Sequence, residues 1–265
     1  MASTPKRKKY IVANWKMNFT MHEASIFLHK LSEKVKSAQG VEVILAPALF
    51  TLQSLSLQVN RKQFKLAAQN YYWRDFGAFT GEVSIAQLKG IVDYGMIGHS
   101  ERRYIFSEND KDIRAKVAAA IRNDIRPILC IGETAAERSF GETGDVIYDQ
   151  LIGGLSEVTS EDIGKVIVAY EPVWAISTSE GAKPCLPDDL KAAVKTIRKH
   201  IEHLYGKKAA TEITVLFGGS VDEDNIGSYL GVEGVDGALV GGASLKIDSF
   251  GKIVEKANSL SKGEK

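Results

Sequence analysis

Three consecutive stretches decide the fold: VIVA (166–169), PDDLKAAVKTIRKHIEHLY (187–205) and ITVLF (213–217). The first and third are short, β-branched and apolar at nearly every position. A half-exposed antiparallel strand alternates apolar with polar residues, so these runs read as strands buried on both faces of a parallel sheet. Between them, Leu190, Val194, Ile197, Ile201 and Leu204 share one face of a helix over 188–205. Pro187, Asp188 and Asp189 give that helix a favourable N-terminus, and its outer face is basic and solvated.

The same unit recurs in both directions. Comparable apolar runs lie at 10–14, 41–46, 65–69, 94–98, 127–131 and 235–240, which makes eight in all, and further amphipathic stretches occupy 22–37, 110–123 and 145–157. The chain carries no Pro-, Gly- or Ser-rich linker and no shift in composition. This pattern predicts an α/β fold, a single closed (β/α)8 barrel with eight parallel strands over 1–265, of which 1–9 form a short basic tail. An open doubly wound sheet is the alternative. It would need a switch-point crevice, and no GxGxxG fingerprint opens the first helix.

Composition narrows the function. With 34 Lys plus Arg against 33 Asp plus Glu, the net charge of +1 excludes a general polyanion-binding surface, and no nucleic-acid partner is expected. The 44% hydrophobic and 25% charged content is that of a folded globular protein. Cys130 and Cys185 lack the paired spacing of a zinc or redox site, and a reducing, cytoplasmic setting is expected. Cys130 reads as a packing residue and Cys185 as an exposed one. No apolar run approaches the roughly 20 residues that span a bilayer, so no membrane contact is expected. The basic cluster KRKK (6–9) reads as a solvated tail.

In a barrel of this kind, chemistry belongs at the C-terminal ends of the strands. Asn14 and Lys16 follow the first strand, His99 and Glu101 the fourth, Glu133 the fifth and Glu171 the sixth. Gly218, Gly219 and Ser220 follow the seventh, and Gly241 and Gly242 the eighth. Each residue alone has a plain structural explanation, as a snorkelling Lys, a capping Glu or a tight Gly turn. Together they place polar groups at one end of the pattern, with two glycine pairs where backbone N–H groups can approach an anion closely.

The strings carrying these residues are VANWKMN (12–18), AQN (68–70), GAFTGE (77–82), IGHSERR (97–103), ILCIGE (128–133), AYEPVWAI (169–176), FGGSV (217–221) and LVGGASL (239–245). In this order, over nearly the whole chain, they resemble the triosephosphate isomerase family. The resemblance implies cofactor-independent interconversion of dihydroxyacetone phosphate and glyceraldehyde 3-phosphate through an enediolate, with no metal and no organic cofactor. It implies Glu171 as base, a neutral His99 as donor to the carbonyl oxygen, Asn14 as second donor, Lys16 as a positive charge beside the substrate and Glu101 as a supporting carboxylate, an arrangement already established for that family. Backbone N–H groups of Ser177, Ser220, Gly241 and Gly242 would hold the phosphate. Pro172, Val173, Trp174, Ala175, Ile176, Thr178 and Ser179 would belong to a lid that excludes water. A homodimer is implied too, with Thr80 of the 73–82 loop reaching the neighbour's active site.

The lid is where the sequence departs from the family. AIGTGK becomes AISTSEGAKPCLP, about three residues longer, with Ser177 and Ser179 in place of two glycines, and the family's YGGS becomes FGGS, so Phe217 has no latching hydroxyl to offer. If residue 177 needs a positive φ, serine costs about 1 kcal/mol; if not, its N–H serves equally well and Gly181 supplies the flexibility. The expectation is a working isomerase with a different latch, through Ser179 or Thr178. An enzyme for another sugar phosphate and a barrel that binds phosphate without turnover are the alternatives, and the site, not the fold, must choose among them.

Overall fold

The computed structural model describes residues 7–36, 40–176 and 183–263. Strands β1 (Lys9–Asn14), β2 (Val41–Ala46), β3 (Phe64–Ala68), β4 (Tyr94–Ile97), β5 (Arg126–Ile131), β6 (Ile167–Tyr170), β7 (Thr214–Phe217) and β8 (Gly237–Val240) pair in sequence order, all parallel. β8 returns to β1 to close the barrel. Around it lie α1 (Met21–Lys34), α2 (Leu52–Gln58), α3 (Ser100–Tyr104), α4 (Asp110–Arg122), α5 (Ala135–Ser139), α6 (Thr143–Leu155), α7 (Pro187–Tyr205), α8 (Lys207–Glu212), α9 (Ile226–Leu230) and α10 (Ile247–Lys262). The expected strands are all present, within two residues at each end. The helix expected over 22–37 ends at Lys34, because Val35 already takes an extended conformation.

Local chemistry sets the helix starts. Thr20 and Glu23 form a reciprocal capping box at α1, Thr134 and Glu137 form another at α5, and Asn109 accepts from the Asp112 N–H at α4. Helix α7 lays Leu190, Val194, Ile197 and Ile201 against the barrel, all buried.

The strands read as continuously apolar because both faces are covered. Val12, Ile44, Met96, Ile128, Ile167 and Leu216 fill the barrel interior. Their neighbours, such as Ile11, Val43, Leu129, Val168 and Val215, pack outward against the helices. Each such side chain, fully buried, contributes about 1.5–3 kcal/mol of transfer free energy.

The N-terminal end of the barrel holds a polar plug. Arg126 reaches the Tyr10 hydroxyl at 3.3 Å and the Tyr94 hydroxyl at 3.5 Å, and Tyr94 in turn donates to Glu42. The basic stretch read as a solvated tail is tied down here from Arg7 onward. The Arg7 guanidinium donates to the Glu212 and Ile213 carbonyls, both at 2.8 Å, and pairs with Asp236 at 3.2 Å. Lys8 pairs with Glu42, while Lys9 opens β1 and donates to the Val235 carbonyl at 2.6 Å. These cations pair with an acid-lined rim while Arg7 and Lys8 stay exposed.

Candidate active site

The opposite, C-terminal mouth of the barrel holds a cavity of about 430 Å³ whose lining includes Asn14, Lys16, His99, Glu171, Gly241 and Gly242. With Gly218 to Ser220 after β7, five strand ends meet at this space, while Glu101 lines the smaller hollow beside it and Glu133 lines neither.

At the end of β1, Lys16 takes a left-handed backbone (φ 51°), costing about 1–2 kcal/mol for a side chain with a Cβ. Its N–H donates to Asn14 Oδ1 at 3.1 Å, and its carbonyl accepts from the Gln69 amide at 3.0 Å, so the strained turn is held from both sides. That turn carries the Lys16 ammonium to Glu101 Oε1, 2.5 Å away. The lysine stem also passes Gly241, where an added Cβ would lie 3.8 Å from Lys16 Cε. Lys16 thus stands between the carboxylates and the glycine end of the cavity.

His99 caps α3. Its Nδ1 accepts the Glu101 N–H at 3.2 Å, which leaves Nε2 as the ring nitrogen free to donate. Nε2 lies 3.2 Å from Glu171 Oε1, and the Asn14 amide nitrogen is 3.3 Å from Nε2, so two N–H donors sit side by side on the cavity wall. Glu171 is 2% exposed, and its second oxygen accepts the Ser100 N–H at 3.1 Å. Two glycines make room for it: a Cβ on Gly218 would lie 2.7 Å from Glu171 Cγ, and one on Gly132 would lie 2.0 Å from the Glu171 carbonyl oxygen. Beneath it, burial and then the Glu171 charge push the Cys130 thiol up, so Cys130 stays neutral.

The segment after β6 is braced as far as Ile176. The Trp174 indole donates to Glu133 at 2.9 Å, the Tyr170 hydroxyl donates to the same carboxylate at 3.0 Å, and the Arg138 guanidinium lies 4.1 Å above the Trp174 ring. Ser220 Oγ donates to the Ala175 carbonyl at 2.8 Å, and the Ser220 N–H does so at 3.3 Å. The N–H read as a phosphate donor is therefore directed in this structure at the root of the lid. Ser177, Thr178, Ser179 and Gly181 lie outside the described residues. Thr80 lines neither this cavity nor the smaller one beside it; it sits exposed on a loop whose base is clipped by Asp75 to Arg122 at 2.9 Å.

Cys185 corrects its expected exposure. It is 2% exposed, and burial, with Asp189 nearby, pushes its thiol up to about 12. The residues missing from the sequence reading are those that brace the site from a distance in sequence. Ser100 was visible beside His99 but carried no signal of its role, and Arg138 and Tyr229 lie in segments with no motif.

The model of the family described as "Triosephosphate isomerase" matches residues 9–257. The chain belongs to the triosephosphate isomerase family. It is 43% identical over 94% of its length to the triosephosphate isomerase of Caldanaerobacter subterraneus subsp. tengcongensis, of which 99% is covered. It is also 43% identical over 92% of its length to that of Streptococcus mutans, with 96% covered, and 42% identical over 94% to that of Carboxydothermus hydrogenoformans, with 98% covered. Membership fixes the reaction class as aldose–ketose isomerisation of a triose phosphate. The cavity and the buried Glu171–His99 pair belong to an isomerase of this family.

Proposed function

We propose that the chain interconverts dihydroxyacetone phosphate and glyceraldehyde 3-phosphate by proton transfer at Glu171. The observation that carries this is the buried Glu171 carboxylate 3.2 Å from Nε2 of His99, whose Nδ1 accepts the Glu101 N–H. Desolvation strengthens a carboxylate as a base toward a carbon acid, and a neutral imidazole matches the basicity of an enediolate oxygen closely enough to donate without overcommitting its proton. Glu171 removes the proton from one carbon and returns it to the next, while His99 and Asn14 hold the oxygen where charge develops. Lys16 supplies the cation beside the anionic substrate, and Glu101 holds both Lys16 and, through its own N–H, the tautomer of His99.

The phosphate sits at the Gly241 and Gly242 end of the cavity, against backbone N–H groups there and at Ser220 and Ser177. For Ser220 to contribute, its N–H must leave the Ala175 carbonyl. Movement of the lid, to which Pro172, Val173, Trp174, Ala175, Ile176, Thr178 and Ser179 are assigned, provides that exchange.

The working unit is a homodimer, as one chain-length barrel domain per subunit, in the cytoplasm, where glycolysis and gluconeogenesis handle triose phosphates. A second hollow of about 230 Å³ beside the site is lined by Lys16, Met17, Glu101 and Phe106. Met17 is 96% exposed, as is 82% of Phe76 on the aromatic loop. Exposed Met and aromatic side chains of this kind suit a protein interface. Thr80 of the partner subunit's loop then fills the hollow and buttresses Asn14 or Lys16.

The test is isomerisation of glyceraldehyde 3-phosphate in an assay coupled to glycerol 3-phosphate dehydrogenase. The unaltered protein turns over, and Glu171→Gln loses about 10²–10⁴-fold in kcat, the range of a positioned base. Turnover undiminished in Glu171→Gln overturns the assignment.

A further inference from the structure

The chain re-enters the fold after the lid through residues 183–186, and this returning stem has its own anchors. The Lys183 N–H donates to the Trp174 carbonyl at 3.2 Å, and the Leu186 N–H donates to Asp189 at 3.2 Å. The third anchor comes from far along the chain. The Tyr229 hydroxyl, on α9, donates to the Cys185 carbonyl at 2.9 Å across 44 residues.

Tyr229 is itself held by the turn at the phosphate end of the cavity. Its ring lies 4.2 Å from that of Phe217, and both side chains are buried. Phe217 packs under the next glycine but one: a Cβ on Gly219 would lie 2.3 Å from Phe217 Cζ. Gly219, Phe217 and Tyr229 thus form a continuous stack ending in a hydroxyl on the returning stem. The same turn holds the outgoing stem through Ser220 and the Ala175 carbonyl. Both stems are tied to one turn, the outgoing stem by Ser220 and the returning stem by Tyr229 through the ring stack.

We propose that Tyr229 is a positioning residue for the isomerisation, one that sets the lid's returning stem in register with the phosphate end of the cavity. The proposal rests on the isomerase reading above. Phe217 contributes a ring without a hydroxyl; the hydroxyl is supplied one ring further out. Burying the Cys185 carbonyl without that donor leaves an acceptor unsatisfied, so the stem in a variant lacking it opens more readily. The chemical consequence falls on the enediolate. When the site is open, the oxyanion pair closes a carbonyl at carbon 1, and the double bond moves to carbons 2 and 3. Inorganic phosphate leaves with the bonding pair, and the remaining enol tautomerises to methylglyoxal. No oxidant or reductant is required, and a well-seated lid suppresses the loss.

Tyr229→Phe removes one oxygen atom and keeps the ring stack. Tyr205→Phe is the matched control, since the Tyr205 hydroxyl also donates to a backbone carbonyl, that of Leu155 at 2.7 Å, but between outer helices. Three quantities are measured on the full-length protein: isomerisation rate, inorganic phosphate released per isomerisation, and hydrogen–deuterium exchange of the peptide covering 183–190. For Tyr229→Phe we expect phosphate release per turnover to rise about tenfold, kcat to fall severalfold and exchange at 185 and 186 to quicken. Tyr205→Phe should change melting temperature to a similar degree and leave the release ratio at the wild-type value. If Tyr229→Phe matches Tyr205→Phe in release ratio and in exchange, the proposal is overturned and the isomerase reading stands. If the wild type itself fails to isomerise, the isomerase reading falls and this proposal falls with it.

Discussion

At the scale of single residues, the site depends on how closely backbone approaches the base. Glu171 keeps its place because Gly132 and Gly218 carry no Cβ on either side of it, and because Ser100 offers one N–H to a carboxylate with little access to water. Gly218→Ala pushes a methyl to within 2.7 Å of Glu171 Cγ, while the cavity's glycine end at Gly241 and Gly242 is untouched. Misplacing a reacting group by about 1 Å costs on the order of 100-fold in rate. Gly218→Ala should therefore lower kcat by about 10–100-fold with KM nearly unchanged, read from steady-state kinetics. A rise in KM at constant kcat would place the effect on binding instead.

At the scale of elements, the returning stem shows what a pattern along the chain cannot carry. Cys185 lies among Lys183, Pro184 and Leu186, a context that reads as an exposed loop, yet it is covered by partners such as Tyr229 that lie dozens of residues away. Its thiol is both buried and raised to about 12, and Cys130 is buried beneath Glu171. The native protein should accordingly react with a disulfide reagent at pH 8 at least tenfold more slowly than the same protein in denaturant, where both thiols react. One fast-reacting thiol in the native state would restore the exposed reading. The same limit hid the anchoring of Arg7, which stays exposed, since its carbonyl partners lie more than 200 residues along the chain. Strands were legible because burial on both faces leaves an unbroken apolar run in the sequence itself. The cavity-lining polar residues were legible because Asn14, His99 and Glu171 each end or closely follow such a run. Ser100, Arg138 and Tyr229 were not, because they act through contacts that only the closed barrel creates.

At the scale of the whole molecule, the barrel gives one rigid frame with a polar plug at its N-terminal end and the chemistry at the other. The aromatic loop is the element that reaches outward, and its clip is electrostatic. The Arg122 guanidinium, hydrogen-bonded to Asp75, holds that carboxyl below its ordinary 3.8. A depressed carboxylate stabilises fully above its unfolded value and loses the contribution as pH falls through the lowered one. The clip is thus at full strength above about pH 4 and weakens in stronger acid, damped by solvent screening at this exposed site. Sedimentation should show a dimer at neutral pH whose dissociation increases below pH 4, and specific activity that falls on dilution as monomers form. An active monomer at neutral pH would contradict the interface. The central claim, that Glu171 moves a proton through an enediolate, is tested most directly by running the isomerisation in D₂O and following the products by proton NMR. The account predicts that solvent deuterium enters at the reacting carbon of the products, and that Glu171→Gln abolishes this labelling along with turnover. Turnover and deuterium labelling that both persist undiminished in Glu171→Gln would contradict the account.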